Sequence, residues 1–337
     1  MKMELKALFL SVVLLIGLTA AAPICDDDYI TLNVTKEFFV DEFIVYKSDH
    51  DIVNLLVPIN GVNMEADDFE VPIIFYTLAD ISENGEETEI GIYKLENSVA
   101  TLILDKGRDS AADLDDEGSK LVYLGGKDGI YVYDHANNTT KKFGTITDSI
   151  KRLVKVNGTD KLYVLTDDKC VYEILDQGTK KLKYDAANGA TDIVLDVNNK
   201  LYFVKDSKLY VYDGETKEID IPIEGDKKLI RPPFLLEDAV LCLVGDDLYA
   251  AYSNGTSELV KITVIEKPTA YSIDSTLLQY YAYDKKIYQY NILQLFFEHV
   301  ADEMKTLLDA FKTELEEASN NKKLEIKENS LKNNNHL

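Results

Sequence analysis

Tryptophan is absent from the 337 residues, arginine and cysteine occur three times each, and histidine occurs four times. Each scarcity narrows the chemistry. Three cysteines, Cys25, Cys170 and Cys242, allow at most one intrachain disulfide and leave an odd thiol, so a disulfide-framed mini-fold is excluded. Four scattered histidines, His50, His135, His299 and His336, give no zinc spacing, and polar neighbours mark them as surface residues. There is no phosphate loop and no nucleophile elbow. Thirty-six basic against sixty acidic residues give a net charge of −24, which argues against nucleic acid or an anionic bilayer as partner. No catalytic residue, cofactor site or metal site is assigned, and the protein is expected not to be an enzyme. With tryptophan missing, 21 tyrosines must supply the large aromatic surface.

What is abundant is short, alternating, β-branched and aromatic runs. Ala190–Gly214, ATDIVLDVNNKLYFVKDSKLYVYDG, holds three of them split by polar turns, an antiparallel meander. A lone meander cannot bury its apolar face. The chain repeats it. An aliphatic–tyrosine pair recurs at Tyr93, Tyr131, Tyr172, Tyr210, Tyr249 and Tyr288, spaced 38, 41, 38, 39 and 39 residues apart. In five of the six units a second apolar run precedes the tyrosine across a tight turn such as GGKDG, TDDK or KDSK. A strand-only period near 39 is that of one four-stranded blade, and six units predict an all-β, six-bladed β-propeller. An irregular β-sandwich is the alternative.

The expected organisation is a signal peptide over 1–21, the propeller over 22–292, a C-terminal amphipathic helix over 293–318 and a disordered tail over 319–337. Lys2 and Lys6, the apolar run Ala7–Leu18 and the small residues Ala20–Ala22 have the form of a cleaved secretory leader. No later run is long enough to span a bilayer, so the mature chain is expected to be extracellular. Sequons at Asn33, Asn138 (overlapping Asn137), Asn157 and Asn254 predict glycosylation, the last three in turns. Tyr29–Val34 and Phe38–Tyr46 are candidates for the strand that closes the ring. Val71–Leu78 reads as the second strand of blade one, and the acidic insertion Ala79–Glu89 as an exposed hairpin tip. First strands of blades two, three and four are expected to include Ala111–Leu114, Ile150–Val156 and Thr191–Leu195. Blade five opens at Arg231-Pro232-Pro233-Phe234 and blade six near Ala270–Ile273. After Leu293, Phe296, Val300, Met304, Leu307, Phe311 and Leu315 form one helical stripe, docked on the propeller or open to a protein partner.

First strands line a propeller's channel. Arg108, Arg152 and Arg231 all fall at or near first strands, and Tyr271 joins them in blade six. Guanidinium groups fork hydrogen bonds to carboxylates, so this set predicts a site for a small, flat, acidic aromatic ligand. Unrelated ion pairs, such as Arg108 with Asp109, are the competing reading. Asp113, Asp115, Asp192 and Asp196 lie at first-strand ends and suit either turn formation or a calcium site.

KLVYLGGKDGIYVYD (Lys120–Asp134) and DIVLDVNNKLYFVKDSKLYVYDG (Asp192–Gly214) resemble the repeats of the ommochrome-binding proteins of moths and butterflies. A cysteine soon after the leader adds to the likeness, which covers about residues 105–290. The resemblance implies a secreted, insect haemolymph protein that binds tryptophan-derived pigments. Ala79–Glu89 and the segment after Leu293 depart from that pattern. Two other functions fit the expected fold: a calcium-dependent lactonase or esterase, and an extracellular protein-interaction platform.

Overall fold

A computed structural model describes residues 32–64, 72–114, 118–264, 266–292 and 294. The expected signal peptide, Cys25, Val71, Asp115, and all of the expected C-terminal helix and tail except Gln294 lie outside them.

Among the described residues, period-2 patterning and turn chemistry produce 25 strands in six sheets. Blade 1 is β3 (Asp51–Leu56), β4 (Ile74–Ile81), β5 (Glu87–Glu96) and β6 (Val99–Asp105). Blade 2 is β7 (Gly107–Ala111), β8 (Leu121–Gly126), β9 (Gly129–Asp134) and β10 (Thr139–Lys142). Blade 3 is β11 (Ile150–Lys155), β12 (Leu162–Thr166), β13 (Val171–Leu175) and β14 (Lys180–Lys183). Blade 4 is β15 (Asp192–Leu195), β16 (Leu201–Lys205), β17 (Lys208–Tyr212) and β18 (Thr216–Ile219). Blade 5 has β19 (Lys227–Ile230), β20 (Ala239–Val244), β21 (Asp247–Tyr252) and β22 (Ser257–Val264). Blade 6 has β23 (Ala270–Ser272), β24 (Leu278–Tyr283) and β25 (Lys286–Asn291). Within each blade consecutive strands pair antiparallel. The architecture is a six-bladed β-propeller.

Of the two N-terminal candidates, Phe38–Tyr46 supplies the strand that closes the ring, and Tyr29–Val34 supplies an extra edge strand to blade 5. β2 (Ile44–Lys47) pairs antiparallel with β25, with Tyr46 opposite Ile287, and so becomes the outermost strand of blade 6. β1 (Leu32–Val34) runs parallel to β22, Asn33 opposite Thr263, as a fifth strand on blade 5. Each addition covers an exposed sheet edge. Aromatic packing holds the seam: Phe39 stacks on Tyr283 at 4.5 Å, and the Tyr290 hydroxyl donates to the Phe38 carbonyl at 2.6 Å.

The core is distributed between blades. Ile52, Leu78, Tyr280 and Ile287 join blades 6 and 1; Leu56, Ile92, Val122 and Leu124 join 1 and 2; Val154, Val171, Leu201 and Phe203 join 3 and 4. Ile130 and Ile174 join 2 and 3, Val211 and Cys242 join 4 and 5, Leu241 and Ile273 join 5 and 6. The repeat tyrosines serve this packing, as Tyr210 does by stacking on Phe203 at 5.4 Å. The β16–β17 turn places Asp206 (φ 50°) and Ser207 (φ 60°) both in the left-handed region, the geometry that matches the twist of a two-residue hairpin.

Two boundaries differ from expectation. β7 begins at Gly107, not near Ala111, so Arg108 lies inside the first strand of blade 2 rather than before it. The first strand of blade 5 is Lys227–Ile230, ahead of Arg231. Three polar residues, Asp226, Lys227 and Lys228, mask that strand's apolar pattern, while Arg231-Pro232-Pro233 ends it. The acidic insertion is the expected exposed hairpin tip: the end of β4 pairs antiparallel with the start of β5, Ala79 opposite Glu89 and Ile81 opposite Glu87, and residues 80–88 are all exposed. Among the described residues no helix is long and apolar enough to cross a membrane.

Candidate binding mouth

Bulges set the site. The register of the first strand slips between Ile52 and Asn54, between Gly107 and Asp109, and between Ile150 and Arg152. The extra residues, Val53, Arg108 and Lys151, therefore sit at the same point in blades 1, 2 and 3. A bulge re-aims its side chain, and all three line one cavity at the end of the propeller where the first strands begin. This mouth has a volume of about 750 Å³, within the range of roughly 300–1,000 Å³ usual for small-molecule sites.

The lining is charged. Arg108, Lys151, Arg152, Lys169, Lys227 and Lys228 supply six cations, and Glu87, Glu89, Asp192, Asp206 and Asp226 five carboxylates. In a chain of net charge −24 a wall with more cations than anions is a local reversal of sign. Among the described residues no aromatic side chain lines the mouth; the expected tyrosine stacking is replaced by guanidinium, ammonium and aliphatic surface.

Beneath the mouth a ring of side-chain hydrogen bonds closes every junction between neighbouring first strands. Asn54 donates its amide to Asp109, joining blades 1 and 2. Asp109 also accepts the Leu153 N–H at 2.7 Å, joining 2 and 3. Arg152 Nε donates to Asp192 at 3.2 Å, joining 3 and 4, and Asp192 accepts the Leu229 N–H at 3.0 Å, joining 4 and 5. Lys228 Nζ donates to the Thr269 carbonyl at 2.8 Å, joining 5 and 6, and the Thr269 hydroxyl donates to the Ile52 carbonyl at 2.6 Å, joining 6 and 1. First strands must converge at the axis without a shared sheet. These bonds satisfy polar groups that their own blade leaves unpaired.

The ring constrains charge. Burial pushes the Asp109 carboxyl up, against the pull of Arg152 and Arg231. Burial also pushes the Lys228 ammonium down to about 8, with the neighbouring Arg152 charge adding to the effect and Asp192 and Glu87 opposing it. Arg152 is held further on its charged side: desolvation opposes the charge, but Asp192 and Asp109 outweigh it. Lys228 Nζ also lies 5.3 Å from the centroid of the Tyr271 ring. The Tyr271 hydroxyl is buried and has no hydrogen-bond partner among the described residues.

The four expected ligand residues divide. Arg152, Arg231 and Tyr271 line one axial cavity, but its volume is about 80 Å³, room for a few waters and not for a pigment. The expectation of a ligand inside the channel is corrected on that ground. Arg231 crosses the axis, donating to the Leu55 carbonyl at 2.7 Å and the Ser110 carbonyl at 3.3 Å, with Asp274 at 3.5 Å, so it plugs the channel rather than binding in it. Arg108 lines the mouth, but its guanidinium is committed to Glu89 and Asp167, both at 2.7 Å. Its ion pair is thus with Glu89 of the blade 1 hairpin and not with Asp109. Desolvation raises the Glu89 carboxyl, yet the Lys127 hydrogen bond, its own backbone N–H and the Arg108 and Lys127 charges hold it below its ordinary value. Arg152 lines both the axial cavity and the mouth, as Lys228 does, with its Nε on Asp192. Lys228 lies outside the arginine set expected from the sequence; its signal there is the lysine pair Lys227-Lys228 at the head of β19.

The aspartates act as backbone acceptors. Asp192 and Asp196 sit at opposite ends of β15, and Asp196 accepts the Asn198 and Lys200 N–H groups, both at 2.9 Å. Asp113 accepts the Gly158 N–H at 2.9 Å and pairs with Lys155 at 2.6 Å. No group of three or more His, Cys, Asp or Glu side chains among the described residues is placed to hold a metal ion. Of the sequons, Asn138 and Asn254 are exposed, and Asn254 Oδ1 accepts the Thr256 N–H and hydroxyl. Asn157 is a correction. It is 7% exposed, its Oδ1 accepts the Leu114 N–H at 3.0 Å, and its own N–H donates to Asn199, so a glycan has no way out. Asn33 lies on β1.

The fold is a six-bladed propeller, and its mouth is a charged cavity of a size usual for small-molecule sites. No family model matches the sequence. An ommochrome-binding protein of Manduca sexta is 25% identical over 114 residues, which span 33% of this chain and 40% of that protein. Among solved structures, the WD40 domain of Neurospora crassa Pan2 superposes with a TM-score of 0.48 at 8% identity, covering 80% of this chain and 97% of that one. Hydrazine synthase of Kuenenia stuttgartiensis gives 0.46 at 11% identity, covering 70% and 75%. These two likenesses carry no functional argument.

Proposed function

We propose that the protein is a secreted, non-catalytic carrier that binds a small acidic aromatic ligand of the ommochrome kind in the mouth around Arg152 and Lys228. The observation that carries the reading is the pair of cations Arg152 and Lys228 on the wall of a cavity of about 750 Å³ in a strongly acidic chain. A carboxylate there gains charge-assisted hydrogen bonds from a guanidinium and an ammonium that are already positioned by the ring. The aromatic part of the proposal is supported by the partial likeness to the Manduca protein. A flat ring would lie on guanidinium faces and on Val53 and Val204. Asp109 and Asp192 already accept backbone N–H groups, which supports binding rather than acid–base work. The leader-like N-terminus and the exposed sequons at Asn138 and Asn254 support secretion to the haemolymph.

The test is an absorbance titration of purified protein with xanthommatin. Saturable one-to-one uptake at micromolar concentration is expected, weakened at least tenfold by Arg152→Gln. Absence of saturable uptake by the wild-type chain overturns the proposal.

A further inference from the structure

Both signs of charge face each other across the mouth, and an acid alone uses only one of them. Arg152 and Lys228 lie on blades 3 and 5. Opposite them, on the blade 1 hairpin, Glu87 also lines the mouth, and its charge reaches both Arg152 and Lys228. Glu87 is exposed, and its carboxylate takes part in no ion pair or side-chain hydrogen bond with the described residues. The neighbouring Glu89 is spent on Arg108 and Lys127, which fixes the base of the hairpin and so the place of Glu87. A bare anion entering between Arg152 and Lys228 would meet the Glu87 field and lose part of its gain. A ligand that brings its own cation a few ångströms from its carboxylate satisfies all three groups.

We propose that the mouth recognises a zwitterionic α-amino acid head group, its carboxylate between Arg152 and Lys228 and its ammonium on Glu87. This rests on the reading of the mouth as the ligand site and adds to it the class of head group. The hairpin then acts as a selectivity element. It distinguishes an amino acid from the corresponding simple acid, which a purely cationic site would prefer.

The absence of tryptophan from the chain supplies a clean assay. Indole ligands can be excited selectively and their fluorescence followed on binding to the full-length protein. Three probes separate the charges: tryptophan carries both, indole-3-propionate only the carboxylate, tryptamine only the ammonium. Tryptophan is expected to bind at least tenfold tighter than either of the others. Glu87→Gln should bring tryptophan down to the affinity of indole-3-propionate and leave the latter unchanged or tighter. Indole-3-propionate binding as tightly as tryptophan, or tryptophan binding unmoved by Glu87→Gln, overturns the zwitterion proposal while leaving the anion site standing. Failure of all three probes to bind at millimolar concentration overturns both. Glu87 sits at the exposed start of β5, so the variant is expected to fold, and an unchanged thermal midpoint verifies this.

Discussion

Replacing Lys228 by methionine tests whether the ring holds a charge for function at a cost to stability. Burial displaces this ammonium from 10.5 to about 8, with Arg152 adding and Asp192 and Glu87 subtracting, while the Tyr271 ring covers one side. At about 1.4 kcal/mol per pH unit, the displacement sets a ceiling of about 3 kcal/mol on what the folded state gives up to keep Lys228 charged. Lys228 is only partly shielded, because it lines the open mouth, so solvent screening reduces this to about 1–2 kcal/mol. Loss of the hydrogen bond to the Thr269 carbonyl costs about 1 kcal/mol in return. The variant should therefore be neutral or slightly more stable at pH 7. The pH dependence is sharper. Below about pH 8 both folded and unfolded wild type hold the proton, and the full penalty is present. Between about 8 and 10.5 the unfolded chain holds more protons than the folded one, so wild-type stability rises relative to the variant. Urea unfolding at pH 7, 8.5 and 10 measures the difference, with Lys227→Met as control. A variant destabilised by more than about 1.5 kcal/mol at pH 7, or a difference that does not move toward wild type as pH rises, refutes the account of Lys228.

Other perturbations separate architecture from site. Arg231→Met removes three bonds across the axis and leaves Asp274, whose side chain is 3% exposed, without its cation; a loss of about 3–5 kcal/mol is expected by denaturant unfolding. Asp109→Ala strips acceptors from Asn54, Ser110 and Leu153, and a fall of about 2–4 kcal/mol should appear in the same assay. Cys242 is fully buried and its thiol is pushed up to about 12, so it should resist maleimide at pH 7 until the protein is unfolded. Asn254→Gln should remove one glycan from the protein secreted by eukaryotic cells, read by mass, whereas Asn157→Gln should remove none.

Much of the fold was legible because it repeats. The tyrosine pairs mark third strands, and the turns GGKDG, TDDK and KDSK mark the hairpins that precede them. Each reports a local preference that six blades share. Boundaries failed where local chemistry was irregular, as at Lys227–Ile230, whose charged start hid a first strand. The mouth was legible in part. Arg152 reached it, Arg108 reached it already paired, and Arg231 turned out to plug the axis. Lys228 gave no repeat signal, since the ring uses Asn54, Asp109, Arg152, Asp192, Lys228 and Thr269, positions of which only the two aspartates share a residue type, and Glu87 lies on a hairpin that the other blades lack.

The sequence by itself determined the six-bladed propeller, because strand period, turn chemistry and inter-blade packing are properties of short stretches repeated along the chain. Tertiary structure alone decided which charges meet. Neighbouring first strands are separated by some 40 residues of intervening blade, and a side chain's partner at the axis depends on bulges that turn Val53, Arg108 and Lys151 toward the mouth. A one-residue slip in a strand moves a charge from solvent to the axis, and no local pattern records it.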